Sequence, residues 1–338
     1  KASIVGLAWD QNKNAIYTNY MTGAFYQLAR YDVKQDDWQN IEQNKTPSNI
    51  DMHPSKAQLF YSNFSNREFI VQRSLEDGRE IRRVASSSRD MYGAYIKENA
   101  NILFTSNRSG NWDLWLKTTK GSVNVTNGMG PVLTPDVSPD SKQFVVSIKP
   151  KEQEYYQLFI GDFATFKFTK IAIDVAKPSA PKWSTDGKSI YFIGTTDSGS
   201  GVYQYHLQSK SITQITNSNE LHAIPTEDGH IYVSRNNQKG IWKINLQTQQ
   251  ETLVVKNLAS TDFGSFFIQD TKLIYLERFN DRDLVKQYYK NDSDITIASY
   301  PANTIRKYFG ISKADHQSFL ITLNSIMDAD IATLSVKN

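Results

Sequence analysis

A tight turn followed by a strand comes back eight times along this chain at a nearly constant interval, and that repetition limits the fold more than any other feature. Its clearest copy is Pro181-Lys-Trp-Ser-Thr-Asp-Gly-Lys-Ser-Ile-Tyr-Phe-Ile193. Here one strand ends at Trp183, a Ser-Thr-Asp-Gly turn follows, and the next strand begins at Ser189. Asp suits such a turn because its carboxylate bonds nearby backbone amides, and Gly because it tolerates positive φ. The arrangement returns at Asp136-Val-Ser-Pro-Asp-Ser-Lys-Gln-Phe-Val-Val146 and at Ile224-Pro-Thr-Glu-Asp-Gly-His-Ile-Tyr-Val233, with weaker copies elsewhere. Aligned, the copies bring Tyr17, Phe60, Phe104, Val145, Tyr191, Tyr232, Tyr275 and Phe319 into register, about 41 to 46 residues apart, the period of four-strand propeller blades.

Each repeat holds two further strands. The third alternates, as in Gly201-Val-Tyr-Gln-Tyr-His-Leu207, and the fourth is short and rich in Thr, Val and Ile, as in Ile212-Thr-Gln-Ile-Thr216. No capped helical period is present, and the 12% aromatic content favours strands. A lone blade cannot bury its own apolar faces, whereas a ring of blades buries both and shelters the inner edges. The chain is therefore expected to be all-β, a single β-propeller domain over 1–338. Four-stranded antiparallel blades are expected at about 3–44, 46–86, 90–127, 131–174, 178–217, 220–257, 262–300 and 303–338. Eight blades are favoured, with seven as the alternative. The last is expected to be three-stranded, because the chain stops after Ala329-Asp-Ile-Ala-Thr-Leu-Ser-Val336. Either that blade has three strands, or the longer protein supplies the fourth from upstream of Lys1. Trp9, Met52, Trp183 and Ile311 are expected to pack between blades.

Composition narrows the setting. A formal net charge of +3 over 338 residues supplies no strong pull toward nucleic acid or an anionic membrane. No apolar run approaches the roughly 18–20 residues of a membrane span. There are no cysteines, which removes disulfides, zinc–thiolate sites and thiol catalysis together. The first residue is Lys1 rather than Met, so the chain reads as part of a longer protein that reaches a membrane only through a segment upstream.

The strings Thr105-Ser-Asn-Arg-Ser-Gly-Asn-Trp-Asp-Leu-Trp115, Pro135-Asp-Val-Ser-Pro-Asp140 and Pro181-Lys-Trp-Ser-Thr-Asp-Gly187 resemble the WD-like repeats of TolB-type β-propellers. Repeats three to six carry the likeness clearly; the first, second, seventh and eighth have lost the Asp-Gly of the turn. Among proteins with such repeats, the chain looks most similar to the C-terminal periplasmic part of CadC/ToxR-like transcriptional regulators. Those carry a winged-helix DNA-binding domain and usually a membrane-spanning helix. The resemblance implies a periplasmic sensor domain belonging to an inner-membrane protein. Two other readings go with the same repeats. One is a TolB-like protein-binding scaffold, soluble in the periplasm; the other is the propeller part of a prolyl-oligopeptidase-like hydrolase lacking its catalytic domain.

Chemistry is sparse. His53, His206, His222, His230 and His316 stand at no metal-ligand spacing. There is no nucleophile elbow, phosphate-cradling loop or dinucleotide fingerprint. Asn291-Asp-Ser-Asp294 and Asp328-Ala-Asp330 do not complete a calcium loop. The chain is accordingly expected to be no enzyme, and to have no catalytic residue, metal or cofactor.

Arginine is the exception to this blandness. In a propeller, the turns joining second to third strands open on the same face as the connections between blades. The first set holds Arg67, Arg108, Arg235, Arg278 and Arg282, and the second holds Arg89 with Tyr92. Arginine captures carboxylate or phosphate through two parallel hydrogen bonds. This face is thus expected to form a mouth for a protein, an acidic peptide or a small anion, with no direct contact to nucleic acid. Glu152, Glu154, Asp197, Asp281 and Asp283 share it and weaken its field.

Overall fold

The computed structural model describes residues 3–10, 14–22, 25–42, 47–65, 67–85, 88–197, 199–289, 293–325 and 328–335. Apart from one 3-10 turn at Ser260–Asp262, every regular element among them is a strand. The strands form eight antiparallel sheets, seven of four strands and one of three, as the repeat implied.

The turns form for the reason legible in the sequence. Ser184 Oγ donates to Asp186 Oδ1 at 2.6 Å and accepts from Ser189 N at 2.9 Å, while Asp186 Oδ1 also accepts from Lys188 N at 3.0 Å. Ser138, Asp140, Lys142 and Gln143 reproduce the same four-point lock. Thr226 and Asp228 repeat its first bond at 2.5 Å. These locks bring the first and second strands of a sheet into register.

The contacts divide the chain into two compact units. One comprises residues 1–67, 107–112 and 325–338; the other comprises 68–106 and 113–324. The second unit is a ring of six four-stranded sheets whose first strands face one another around a centre. Those inner strands are Asp90–Tyr95, Val132–Val137, Ala176–Trp183, Glu220–Pro225, Phe266–Gln269 and Ile311–Lys313.

Five sheets of the ring each use the four strands of one repeat. The sixth joins Ile311–Lys313 and Ser318–Asn324 to Glu68–Ser74 and Glu80–Ala85. This departs from the repeat boundaries: 46–86 and 303–338 exchange strands instead of forming one sheet each. The three-stranded sheet is Pro47–Met52, Gln58–Ser65 and Asp328–Ser335, and it lies in the first unit. The exchange has a packing cause. Val71 and Ile321 bury one face of the sixth sheet with Phe267 and Ile274, and Ile70 and Leu320 bury the other with Ile102 and Phe104. One sheet thereby seals both of its neighbours, which closes the ring and leaves no inner edge exposed.

The first unit pairs Ser3–Asp10, Ala15–Thr22, Phe25–Asp32 and Asp37–Glu42 in order, around a core that includes Tyr17, Leu28, Leu59 and Tyr61. Trp9 does not join that core and is 44% exposed. Successive strand residues face opposite sides, and here Ala8, opposite Tyr17, takes the core side. Met52 is partly buried, while Trp183 and Ile311 are buried as expected.

Candidate functional site

The inner strands of the ring enclose a cavity of about 910 Å³, a size typical of ligand sites. Its lining includes the turns between first and second strands at Lys97, Thr185, Glu227, Thr271 and His316, and runs inward to Tyr92, Ala180, His222 and Phe309. The cavity therefore opens at the end of the sheets opposite the turns between second and third strands.

Aromatic rings form its floor. Phe309 meets His222 edge-on at 5.1 Å, Phe263 at 5.5 Å and Tyr92 at 5.8 Å. Gly264 makes this possible, since a Cβ at that position would stand 2.2 Å from the Phe309 ring. Arg306 lies 4.6 Å over the Tyr92 ring, donates to its hydroxyl at 3.0 Å, and ion-pairs with Glu68 at 3.0 Å. The inner strands bulge near this level: Tyr92 and Ala180 take φ of +57° and +48° beside register shifts in their strands. Bulges re-aim side chains in this way and concentrate near functional sites.

The walls carry paired charge. Lys182 Nζ lies 2.9 Å from Asp136, which also accepts from Trp183 N at 2.8 Å, so two neighbouring sheets are tied at the cavity. Lys243 pairs with Asp228 at 3.0 Å, and His316 with Asp270 at 3.0 Å. Burial works to raise the Asp228 pKa, but the Thr226 hydroxyl and the Lys243 ammonium outweigh it and hold the carboxyl well below its usual range. Lys313 lines the cavity with no such partner among the described residues. Burial lowers its pKa and Lys97 adds to the effect, against the pull of Asp270, Asp136 and Glu227.

Four inner strands also present buried polar atoms without a hydrogen-bond partner: Thr134 Oγ1, Trp183 Nε1, His222 Nδ1 and Gln269 Oε1, all from residues that line the cavity. His222 is 2% exposed, and burial, with some help from Lys182, pushes its pKa well below the ordinary histidine value. It is a neutral imidazole at pH 7.

Among the arginines and the tyrosine singled out in the sequence, Tyr92 alone lines the cavity. Arg235 is joined to Glu220 at 3.2 Å and Glu251 at 2.6 Å and lies over Trp242. Arg278 bonds both oxygens of Asp262 at 2.8 Å, Asp283 at 2.6 Å and the Ile305 carbonyl at 3.0 Å. Arg89 pairs with Glu68 at 3.0 Å and Arg282 with Asp281 at 2.5 Å. Arg67 and Arg108 belong to the first unit. Arg67 is exposed, and Arg108 is half-buried in the turn closed by the Gly110 N to Asn107 O bond.

Sequence reasoning missed the lysines of the cavity. A signal for them existed: Lys97, Lys182 and Lys313 all fall at or just beyond the end of an inner strand, where a propeller turns its side chains toward the channel. Among the described residues no group of three or more His, Asp or Glu could hold a metal ion. No helix among them is long and apolar enough to cross a membrane.

Antiparallel four-stranded sheets closed into a ring around a central cavity define a β-propeller. No protein family matches the chain, and no curated protein matches it in sequence. Solved structures do share its fold. TolB from Acinetobacter baumannii is 14% identical, with 91% of this chain and 79% of that one covered and a TM-score of 0.53. A protein described as a TolB of Agrobacterium tumefaciens is 15% identical, covering 78% of this chain and 99% of its own, with a TM-score of 0.59. A puromycin hydrolase is 10% identical over 89% of this chain but only 54% of its own, with a TM-score of 0.51. The fold is that of TolB-type β-propellers, and at such identities the likeness shows the fold alone.

Proposed function

We propose that this chain is a non-catalytic binding propeller, a TolB-like scaffold that holds a segment of a partner protein in its central cavity. The observation that carries this reading is the open cavity of about 910 Å³ at the centre of the ring, lined by residues from all six inner strands. Catalysis is less well served. Asp136 and Asp228 are each paired to a lysine, Asp270 bonds His316, and Asp315 accepts from Gln72 at 3.0 Å.

A periplasmic setting goes with this reading. The sensor domain of a membrane-anchored regulator would use the same cavity for a signalling ligand, but none of the three structures compared above is a regulator. The half-length match to a puromycin hydrolase favours, as a second reading, a propeller that gates a separate catalytic domain.

Affinity capture from a cell-envelope extract tests the proposal. The wild-type chain is expected to retain a partner, and Arg282→Ala is expected to do the same. Thr185→Trp combined with Glu227→Trp, which crowds the cavity mouth, is expected to lose the partner with an unchanged unfolding midpoint. Equal retention by the crowded variant overturns the proposal.

A further inference from the structure

The geometry points to the floor of the cavity as a seat for a neutral aromatic ring of the ligand, packed against Phe309. The inference rests on the reading of the cavity as a binding site and names the part of the occupant that reaches deepest.

Phe309 lies on the connection that leads from Ile295–Pro301 into the inner strand Ile311–Lys313. Tyr308 and Phe309 are successive left-handed residues, with φ of +59° and +51°. That conformation is unfavourable for any residue with a Cβ, and here it is held from several sides. Arg306 donates to the carbonyls of Lys307 and Tyr308 at 2.6 Å each. Phe309 N donates to the Phe263 carbonyl at 3.1 Å, and Gly310 N to Ser265 Oγ at 2.9 Å. Tyr92 and Ala180 are left-handed as well and line the same floor. Strain of this kind persists only where the surroundings enforce it, and it gathers at ligand sites.

The enforced conformation brings Phe309 to the cavity half-buried, with part of its surface open. His222, Phe263 and Tyr92 already meet its ring at 85° to 89°. Edge-to-face contacts add to the gain from burial, so such a cluster favours a further ring over an aliphatic group of the same size. Charge narrows the class again. Tyr92, Ala180, His222, Gly264, Phe266 and Phe309 make the deep lining, and none of them is charged at pH 7. Arg306 lies 4.6 Å over the Tyr92 ring, where its guanidinium takes one ring face and opposes a second cation.

Fluorine NMR with 5-fluoroindole as the probe tests the inference on the wild-type chain, which is expected to bind it saturably. Benzyl alcohol is expected to displace the probe at concentrations at least about threefold below those needed with cyclohexylmethanol or benzyltrimethylammonium, the size of one aromatic contact. Phe309→Leu is expected to weaken the probe by about the same factor with circular dichroism unchanged, and Arg282→Ala to leave binding as it is. The competition series needs no variant, so it decides the matter even where Phe309→Leu unfolds. No saturable binding, equal competition by cyclohexylmethanol, stronger competition by the ammonium, or a folded Leu variant with undiminished binding each overturns the inference. Loss of the captured envelope partner in saturating 5-fluoroindole assigns the ring to that partner. Undiminished capture assigns it to a free small molecule, and either result supports the seat. If the probe fails while the crowded mouth variant still loses the envelope partner, the aromatic seat alone falls. If the crowded variant keeps its partner, the cavity reading falls and the inference with it.

Discussion

Ile321 stands directly opposite Val71 across the strand pair that closes the six-sheet ring, and neither side chain is reached by solvent. The two residues come from opposite ends of the ring's sequence, so their contact forms only when the ring is complete. Truncating a buried Ile to Ala costs about 2–5 kcal/mol through lost burial and the cavity left behind. Ile321→Ala is therefore expected to lower the urea unfolding free energy by that amount. Leu253→Ala, at a site that is 43% exposed, is expected to stay within about 0.5 kcal/mol of wild type. Similar losses in the two variants would show that closure carries no special weight.

Arg278 joins Asp262 and Asp283, whose side chains are 0% and 1% exposed. Burial raises the Asp262 pKa even with the guanidinium beside it. Removing the cation strands two carboxylates in the interior, which typically costs about 3–5 kcal/mol. Arg278→Met should destabilise the chain on that scale. Adding Asp262→Asn to it should recover part of the loss in the same urea experiment, because one of the stranded charges is then gone.

His222 ties stability to pH. An unfolded histidine titrates near about 6.5, whereas burial keeps folded His222 neutral far below that value. Below about pH 6.5 the unfolded chain thus binds one proton more, and stability falls by up to about 1.4 kcal/mol per pH unit as pH drops. His222→Phe removes that slope. Unfolding free energies measured between pH 7 and pH 5 should run flatter in the variant, and parallel lines would refute the assignment.

The turn carboxylates act in a separate window. The Ser138 hydroxyl first, and then the Lys142 amide, hold the Asp140 pKa below its usual value; Ser184 and Lys188 do the same for Asp186. Their folded pKa values lie below the unfolded ones, so the stability they contribute is intact above about pH 4 and is lost as pH falls below it. Ser138→Ala with Ser184→Ala should lower the urea midpoint at pH 7, and the gap from wild type should shrink at pH 3. A gap that stays constant would mean that the hydroxyls stabilise the turns without acting on the carboxylates.

Local chemistry explains what could be read from the sequence. The Ser-x-Asp turns at 138–140 and 184–186 announce themselves because every partner lies within five residues. The strand exchange does not, because the pairing of Ser318–Asn324 with Glu68–Ser74 spans most of the chain and leaves no local mark. Trp9 misled for a related reason: its size suggests the core, but the pairing of Ala8 with Tyr17 decides which face points inward. The arginines were visible as residues and invisible as partners. Whether Arg235 faces a ligand or Glu220 and Glu251 depends on side chains brought from three different strands. The unpartnered atoms at Thr134, Trp183, His222 and Gln269 emerge only once six inner strands surround one space.

Photo-crosslinking in intact cells tests the central claim most directly. A benzophenone amino acid would replace Thr185 at the cavity mouth in one strain, and Arg282, in the exposed turn at the other end of its sheet, in another. The account predicts one discrete crosslinked partner from position 185, absent when Glu227 is tryptophan, and none from position 282. Crosslinking from 282 alone would contradict it and return the binding face to the arginine-bearing turns.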